Sequence, residues 1–343
     1  MMLSYAGGFK AAADEAVALE KVGLDVVWVP EAYSFDAVSQ LGYLAARTER
    51  VQIGSAILPI YSRTPALLAM TAAGVDFVSD GRFILGLGAS GPQVIEGFHG
   101  VPYDRPLART REIVDICRRV WRREVLINDG IYPLPLPPGQ GTGLGKALKL
   151  VNHPVRPDIP VYLASLGDRN VELTAEVADG WLPMLYIPER AATVWGRAVA
   201  AGAAKRLPGL GPLETVAGGM VAFVDDPAEA KAILDLARPM VALYVGGMGA
   251  RGRNFYNALV RRYGFEAEAE AVQELYLAGR RDEAAAAAPD ALLEGTNLVG
   301  PEGYVRERIA AFAEAGVTTL NVIPMAPDRV GMLQRLRGLV DDL

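Results

Sequence analysis

The stretch Gly23-Leu24-Asp25-Val26-Val27-Trp28-Val29-Pro30 returns near the other end of the chain as Gly316-Val317-Thr318-Thr319-Leu320-Asn321-Val322-Ile323-Pro324. In both copies a glycine stands where an amphipathic helix must end, since a residue without Cβ enters the left-handed region at little cost. A short, β-branched run follows, and proline, with no amide hydrogen to give a neighbouring strand, stops it. Ala178-Asp179-Gly180-Trp181-Leu182-Pro183 is a looser third copy. A chain that ends on a unit like its first fits a closed cylinder of parallel strands, with a doubly wound sheet as the alternative.

Working outward, apolar runs alternate with amphipathic ones. The periodicities predict strands over residues 3–6, 26–29, 51–58 and 83–87, and helices over 10–21, 36–47, 65–79 and 106–123. Strongly apolar strands between helices imply a parallel sheet covered on both faces. The expected class is therefore α/β, a (β/α)8 TIM barrel with insertions, and its 343 residues suit a single domain of that kind. Two stretches break the rhythm. Residues 128–160, with Pro135-Leu136-Pro137-Pro138-Gly139-Gln140-Gly141, read as an inserted surface loop or lid. Residues 251–289 read as helical, with Tyr256, Leu259, Tyr263, Leu275 and Tyr276 as apolar anchors. They form an excursion over the barrel mouth, an oligomer contact or an ordinary outer layer.

The formal charge of -6 and the dispersal of Lys and Arg leave no footprint for nucleic acid. The most apolar stretch, 240–250, is far shorter than the roughly 20 residues of a membrane span, and no basic leader precedes an apolar core, so a cytoplasmic, non-membrane location is expected. The one cysteine, Cys117, shares helical spacing with Ile113, Ile116, Val120 and Trp121, which reads as a packing thiol rather than a reactive one. Two histidines, His99 and His153, are too few for a His-rich metal site, so no metal is expected.

In a parallel barrel, chemistry gathers at the C-terminal ends of the strands. There the chain places Pro30-Glu31-Ala32-Tyr33, Ala56-Ile57-Leu58-Pro59-Ile60-Tyr61, Gly86-Leu87-Gly88-Ala89-Ser90-Gly91-Pro92-Gln93 and Ala164-Ser165-Leu166-Gly167. Glycines at 86, 88 and 91 around Ser90 let backbone amides approach an anion or a flat ring, or simply form a tight turn. They do not match the dinucleotide fingerprint.

Together with Glu96-Gly97-Phe98-His99-Gly100, Arg109 and Glu112, the 86–92 stretch resembles the fourth-strand signature of luciferase-like flavin and deazaflavin oxidoreductases. Gly54-Ser55-Ala56-Ile57 with Arg63-Thr64-Pro65, Ala178-Asp179-Gly180-Trp181 and Gly300-Pro301-Glu302 resemble the same family in the same order. The resemblance implies a site residue by residue. Ala56 and Ile57 match a third-strand bulge, often at a non-prolyl cis peptide, that backs the tricyclic ring. Gly88, Ala89, Ser90 and Gly91 match the segment that holds the ribityl and phosphate region, and Ala164, Ser165 and Gly167 match a fifth-strand phosphate loop. Trp181 joins this set; with Tyr33 and Tyr61 it lines the pocket or fills the barrel top. Gly246-Gly247-Met248-Gly249-Ala250-Arg251 and Tyr256 look more like members using coenzyme F-420, an 8-hydroxy-5-deazaflavin, than like members using FMN.

One departure stands out. Where related deazaflavin enzymes tend to carry an acid followed by His, this chain has Glu31 and Ala32, which counts against a dehydrogenase of sugar phosphates or alcohols. Glu31 orients the ring or relays a proton, or it braces a loop. The resemblance implies an F-420-dependent oxidoreductase that moves a hydride to or from a small organic substrate, working as a homodimer. The alternatives are an FMN-dependent monooxygenase on the same fold and a non-catalytic deazaflavin-binding relative.

Overall fold

The computed structural model describes residues 1–4 and 7–342. The two glycines that open the repeated motif lie at φ +98° (Gly23) and +85° (Gly316), just beyond the helices Phe9–Glu20 and Glu302–Glu314. Each turns the chain into a strand, as its missing Cβ permits.

The strands are β1 (Val26–Val29), β2 (Gln52–Ser55), β3 (Leu58–Pro59), β4 (Phe83–Gly88), β5 (Val161–Leu163), β6 (Gly180–Trp181), β7 (Glu214–Ala217), β8 (Met220–Phe223), β9 (Leu298–Gly300), β10 (Thr319–Leu320) and β11 (Ile323–Pro324). One ladder runs β1-β2-β4-β5-β6-β7-β10 with β3 on β4, and a second runs β11-β8-β9. Their pairings are parallel. β7 and β8 are halves of one strand, as are β10 and β11. On the free side of β1, Met2 bridges Trp28, and the Leu3 amide donates to the Trp28 carbonyl at 2.9 Å. Counting residues 1–3, eight successive positions of a curled parallel sheet are filled. The helix Arg329–Asp341 lies against the first unit through Arg329–Glu15 and Arg337–Asp25 pairs, each at 2.9 Å, which brings the ends of the sheet together. The expected α/β (β/α)8 fold is the one observed.

The barrel interior is closed by aromatic rings fitted to glycines. Trp28 and Tyr162 meet at 5.6 Å within a cluster containing Val26, Ile84 and Val216. A Cβ on Gly54 would lie 2.3 Å from the Trp28 ring, and one on Gly180 would lie 2.5 Å from Tyr162, so neither position accommodates a side chain. Between strands and helices, Leu41, Leu44, Leu68, Ile113 and Trp121 are fully buried, each worth roughly 1.5–3 kcal/mol in area removed from water. Cys117 lies among them; burial pushes its thiol up to about 12, as expected of a packing residue.

Two expectations need adjustment. The strand read over 3–6 is replaced by a bridge at Met2 with the Leu3 amide bonded beside it, and Tyr5 and Ala6 lie outside the described residues. The strand read over 51–58 is two, β2 and β3, parted by a cis Ala56-Ile57 peptide that interrupts the ladder. Residues 128–160 contain no helix or strand, as expected of an inserted loop. Near its root the amides of Ile131 and Tyr132 donate to Glu112 at 2.9 and 2.8 Å. Near its end Arg156 holds Asp76 at 2.8 Å and the Phe83 carbonyl at 2.6 Å. The loop is thus strapped along the flank of the helix Pro106–Trp121. The 251–289 stretch is helical over Phe255–Arg262, Glu266–Leu277 and Arg281–Ala286. It borders the mouth at the end of β5, where Arg262 pairs with Asp168 at 2.8 Å.

Two predictions follow from buried carboxylates. Asp76 is fully buried and accepts from Arg156. Arg156→Ala strands that charge and is expected to lower unfolding stability by about 3 kcal/mol in urea melts, whereas Val151→Ala, at an exposed site, is expected to change nothing measurable. Glu20 is buried, which pushes its carboxyl up. The amides of Val51, Arg50 and Glu49, all donating to one of its oxygens, outweigh this and hold it below the ordinary value of 4.5. A depressed folded-state pKa stabilises above the unfolded value and is lost as pH falls through the folded one. Melts below pH 4.5 are therefore expected to fall more steeply with pH in the parent than in Glu20→Gln.

Candidate functional site at the barrel rim

The rim begins with a register change. β2 pairs Ile53 with Phe83, but β3 pairs Leu58 with Leu87, so one residue between them is extra. At the change, the Ser55 hydroxyl replaces a ladder bond, accepting from the Gly86 amide and donating to the Gly86 carbonyl, both at 2.9 Å. The backbones approach so closely that a Cβ on Gly86 would lie 1.8 Å from the Ser55 carbonyl oxygen. Beyond this point the chain turns through the cis Ala56-Ile57 peptide, where the sequence resemblance places one. Ile57 is thereby set against β4: a Cβ on Gly88 would lie 2.9 Å from Ile57 Cδ1 and 3.5 Å from Ala164 Cβ. Ile57, Gly88 and Ala164, far apart in sequence, adjoin at the C-terminal ends of three neighbouring strands. Ala56 packs toward the inner cluster instead.

Past β4 the chain continues through half-buried Ala89 and through Ser90, at φ +57°, to Gly91, which starts the short helix Pro92–Gly97 without a side-chain cap. The Tyr103 hydroxyl approaches the Ser90 carbonyl at 3.4 Å, and the Tyr103 ring packs on Tyr61 at 5.1 Å. Past β5, two indoles fix successive carbonyls of the loop: Trp181 Nε1 donates to Ser165 at 2.9 Å and Trp195 Nε1 to Leu166 at 2.8 Å. The Ser165 hydroxyl bonds Thr174 Oγ1 at 2.8 Å. Gly167 then starts the helix Asp168–Val177 with no side-chain cap, leaving first-turn amides open to an acceptor at the positive end of the helix. Trp181 itself is buried in an aromatic wall with Trp195 and Tyr186, and touches the rim through its bond to the Ser165 carbonyl.

Glu31, after β1, is also buried. Its carboxylate takes a two-pronged bond from Arg63, at 2.6 and 2.9 Å, and a third from the Ala37 amide at 2.9 Å. Arg63 also reaches Asp36 at 2.7 Å, and Asp36 caps the helix Ala37–Arg47 by accepting from Ser39. These bonds, the Glu31 bond first, raise the Arg63 pKa. Of the aromatic residues singled out earlier, Tyr61 is buried, its hydroxyl donating to the Asp104 carbonyl at 2.7 Å, while Tyr33 is exposed. His153 lies beside Arg123 on the flanking loop, and His99 meets the Phe98 ring edge-on. Among the described residues there is no group of three or more His, Cys, Asp or Glu placed to hold a metal.

Sequence reasoning left several contributors without a role. Arg109, named only as part of a motif, lies 5.6 Å from the Tyr61 ring and 5.2 Å from the Tyr132 ring, tying the rim to the 128–160 loop. Trp195 and Arg63 act through contacts that no local pattern announces. The Gly246-Gly247 motif forms part of a π-helix, Leu243–Gly247, pressed on Tyr276; Asn254 donates to its Tyr244 and Val245 carbonyls at 2.8 and 3.0 Å. A large cavity of about 1460 Å³ lies elsewhere, between the helices Pro106–Trp121 and Asp168–Val177. Its walls mix apolar residues with mutually paired charges such as Arg111–Glu176 and Arg118–Asp179, and it lies on the helical flank away from the strand ends. The rim fits a cofactor better: a side-chain-poor strip for a flat ring, flanked by a helix start with open amides for a phosphate.

Comparisons with known proteins identify the family. A family model described as luciferase-like monooxygenase matches residues 1–319. A Mycobacterium tuberculosis protein, provisionally assigned as a coenzyme F-420-dependent oxidoreductase, is 41% identical over 330 residues, covering 94% of this chain and 93% of its own. The 5,10-methylenetetrahydromethanopterin reductase of Archaeoglobus fulgidus is 28% identical over 92% of this chain and 90% of its own. Among solved structures, the coenzyme F-420-dependent tetrahydromethanopterin reductase of Methanopyrus kandleri superposes with a TM-score of 0.78 over 100% of this chain and 97% of its own, at 20% identity. A chain with this rim and this family match belongs to the luciferase-like monooxygenase family.

Proposed function

We propose that the protein is a coenzyme F-420-dependent oxidoreductase that moves a hydride between the deazaflavin and a small organic substrate. The observation that carries this reading is the convergence of Ile57, Gly88 and Ala164 into one smooth strip at the rim. The assignments of the relatives support it, since two of the three name coenzyme F-420.

Bound here, a deazaflavin supplies a carbon centre that gives or takes a hydride without readily activating oxygen. The chain supplies position. Ile57 would stand behind the ring, and Gly88 would leave its face free of a Cβ. Ser90, Gly91 and the open amides from Gly167 onward would hold the ribityl and phosphate part. Trp181 and Trp195 keep the second loop in register by holding its carbonyls. Glu31 serves as a positioning residue: with three hydrogen bonds already accepted, its carboxylate fixes Arg63 and the helix start at Ala37 rather than relaying a proton. The reading includes a cytoplasmic location, in keeping with a chain whose only cysteine is a free, buried thiol.

The reading also includes a homodimer. The helix Pro65–Val78 exposes Leu67, Met70, Phe77 and Val78 along one outward face. An apolar stripe of this kind suits an isologous contact with a second copy. Sedimentation of the parent is expected to show a dimer, and Met70→Glu with Phe77→Glu a monomer; a parent that sediments as a monomer at micromolar concentration would remove this part.

The cofactor is tested by fluorescence titration. Stoichiometric binding of F-420 is expected, with FMN at least about tenfold weaker, and Gly88→Val is expected to raise the F-420 Kd about tenfold by filling the strip. FMN binding in preference to F-420, with oxygen uptake, would replace the reading by an FMN monooxygenase. Tight F-420 binding without hydride exchange in any substrate panel would leave a non-catalytic relative.

A further inference from the structure

The loops around the rim carry an unusual pairing of exposed aromatic rings with neutralised charge. Tyr33, on the loop after β1, is 58% exposed, and Phe98, at the end of the helix that follows β4, is 67% exposed. Their rings nonetheless meet, with centroids 6.2 Å apart and a 50° tilt. In the sheet, β1 and β4 flank the strand that carries Ala56 and Ile57, so this contact spans that strand from its two neighbours. His99 extends the row edge-on to Phe98, and Phe35, on the Tyr33 loop, is 84% exposed. Large apolar rings are left in water at such a place only at a cost in hydration, and a row of them beside a site marks a surface made to be covered.

Charge points the same way. The loop after β1 holds no Lys or Arg up to Asp36. The one cation on the loop after β3 is Arg63, and its guanidinium is committed to Glu31 and Asp36. On the segment from β4 to the helix Pro106–Trp121, the one cation is Arg105, paired with Asp104, while Arg109 within that helix holds the same carboxylate. A phosphate or carboxylate on a substrate entering between these loops meets only cations already paired with carboxylates, Arg63 with two and Arg105 and Arg109 sharing one, and would lose hydration while competing for them.

We infer that the Tyr33–Phe98 pair is the substrate-recognition lip of this site and that it selects uncharged molecules with a flat apolar face, aromatic or conjugated, against phosphorylated or carboxylated ones. This rests on reading the rim as the deazaflavin site. The substrate's flat face lies against Tyr33 and Phe98 while its reacting end points toward the strip at Ile57 and Gly88. The two rings act by stacking and by excluding water, so they set KM more than kcat.

The matched probes 2-naphthol and 2-naphthyl phosphate test this on the full-length protein, with and without F-420, by quenching of probe fluorescence. The parent is expected to bind 2-naphthol at least tenfold more tightly than 2-naphthyl phosphate. Tyr33→Ser and Phe98→Ser, each with a near-ultraviolet circular dichroism spectrum matching the parent, are expected to raise the 2-naphthol Kd about five- to tenfold each. Phosphate binding equal to or tighter than naphthol, or variants that bind naphthol like the parent, would overturn the inference. So would a shift of either variant from dimer to monomer in sedimentation, because the rings would then belong to a subunit contact. An F-420 titration on the same samples separates the two ideas: absent coenzyme binding defeats the cofactor reading, while intact coenzyme binding with no preference for naphthol defeats only the lip.

Discussion

The close approach of the Ser55 and Gly86 backbones governs the rim. Two parallel strands are ordinarily held apart by their ladder, about 4.8 Å between axes. Here the ladder is replaced for one step by a serine hydroxyl that both accepts from and donates to Gly86. The exchange admits one extra residue into the β2–β3 stretch, and that residue moves Ile57 off the line of β2 and against Gly88. A side chain at 86 would collide with backbone, which cannot yield, and one at 88 would collide with the residue the register change delivers. The smooth strip is thus a consequence of where the sheet is irregular.

Around the strip, side chains hold backbone rather than act directly. Trp181 and Trp195 each spend an indole N–H on a carbonyl of the Ser165-Leu166 loop, which keeps a helix start aimed inward. Arg63 gathers Glu31 and Asp36, and through them the start of the helix Ala37–Arg47. Arg109 ties the rim to the 128–160 loop through two aromatic rings and Asp104. Because Arg63, Arg105 and Arg109 are each paired with a neighbouring carboxylate, what the rim offers a ligand is shape, open amides and exposed aromatic surface.

How far the site was legible in the sequence depends on the kind of interaction. Glycines were readable because a missing side chain is a local fact: 23 and 316 as helix exits, 86, 88 and 91 as a close approach. The identity of the third-strand bulge at Ala56-Ile57 was readable only by resemblance, and periodicity alone ran one strand through it. Glu31 was placed at the mouth, but its partners Arg63 and the Ala37 amide, 32 and 6 residues away, come from a loop and a helix start that no spacing rule links to it. Trp181 was grouped with the rim, although its ring faces the helical layer, because a two-residue strand shows no alternation from which to assign a face. The 128–160 segment was readable as a surface loop or a lid and no more, since Pro and Gly forbid regular structure without saying where the chain runs.

By itself, the sequence determined the alternation of strand and helix, the glycine-capped repeat at both ends, the covered parallel sheet and the strand ends where glycines leave backbone uncovered. These depend on the periodicity and conformational freedom of neighbouring residues, which the chain carries before it folds. Only the tertiary structure decided which distant residues meet: Ile57 with Gly88 and Ala164, Glu31 with Arg63, Trp181 with Ser165, and Tyr33 with Phe98 across the intervening strand. Register, loop course and side-chain pairing are settled by packing between segments remote in sequence, and no local pattern contains that information.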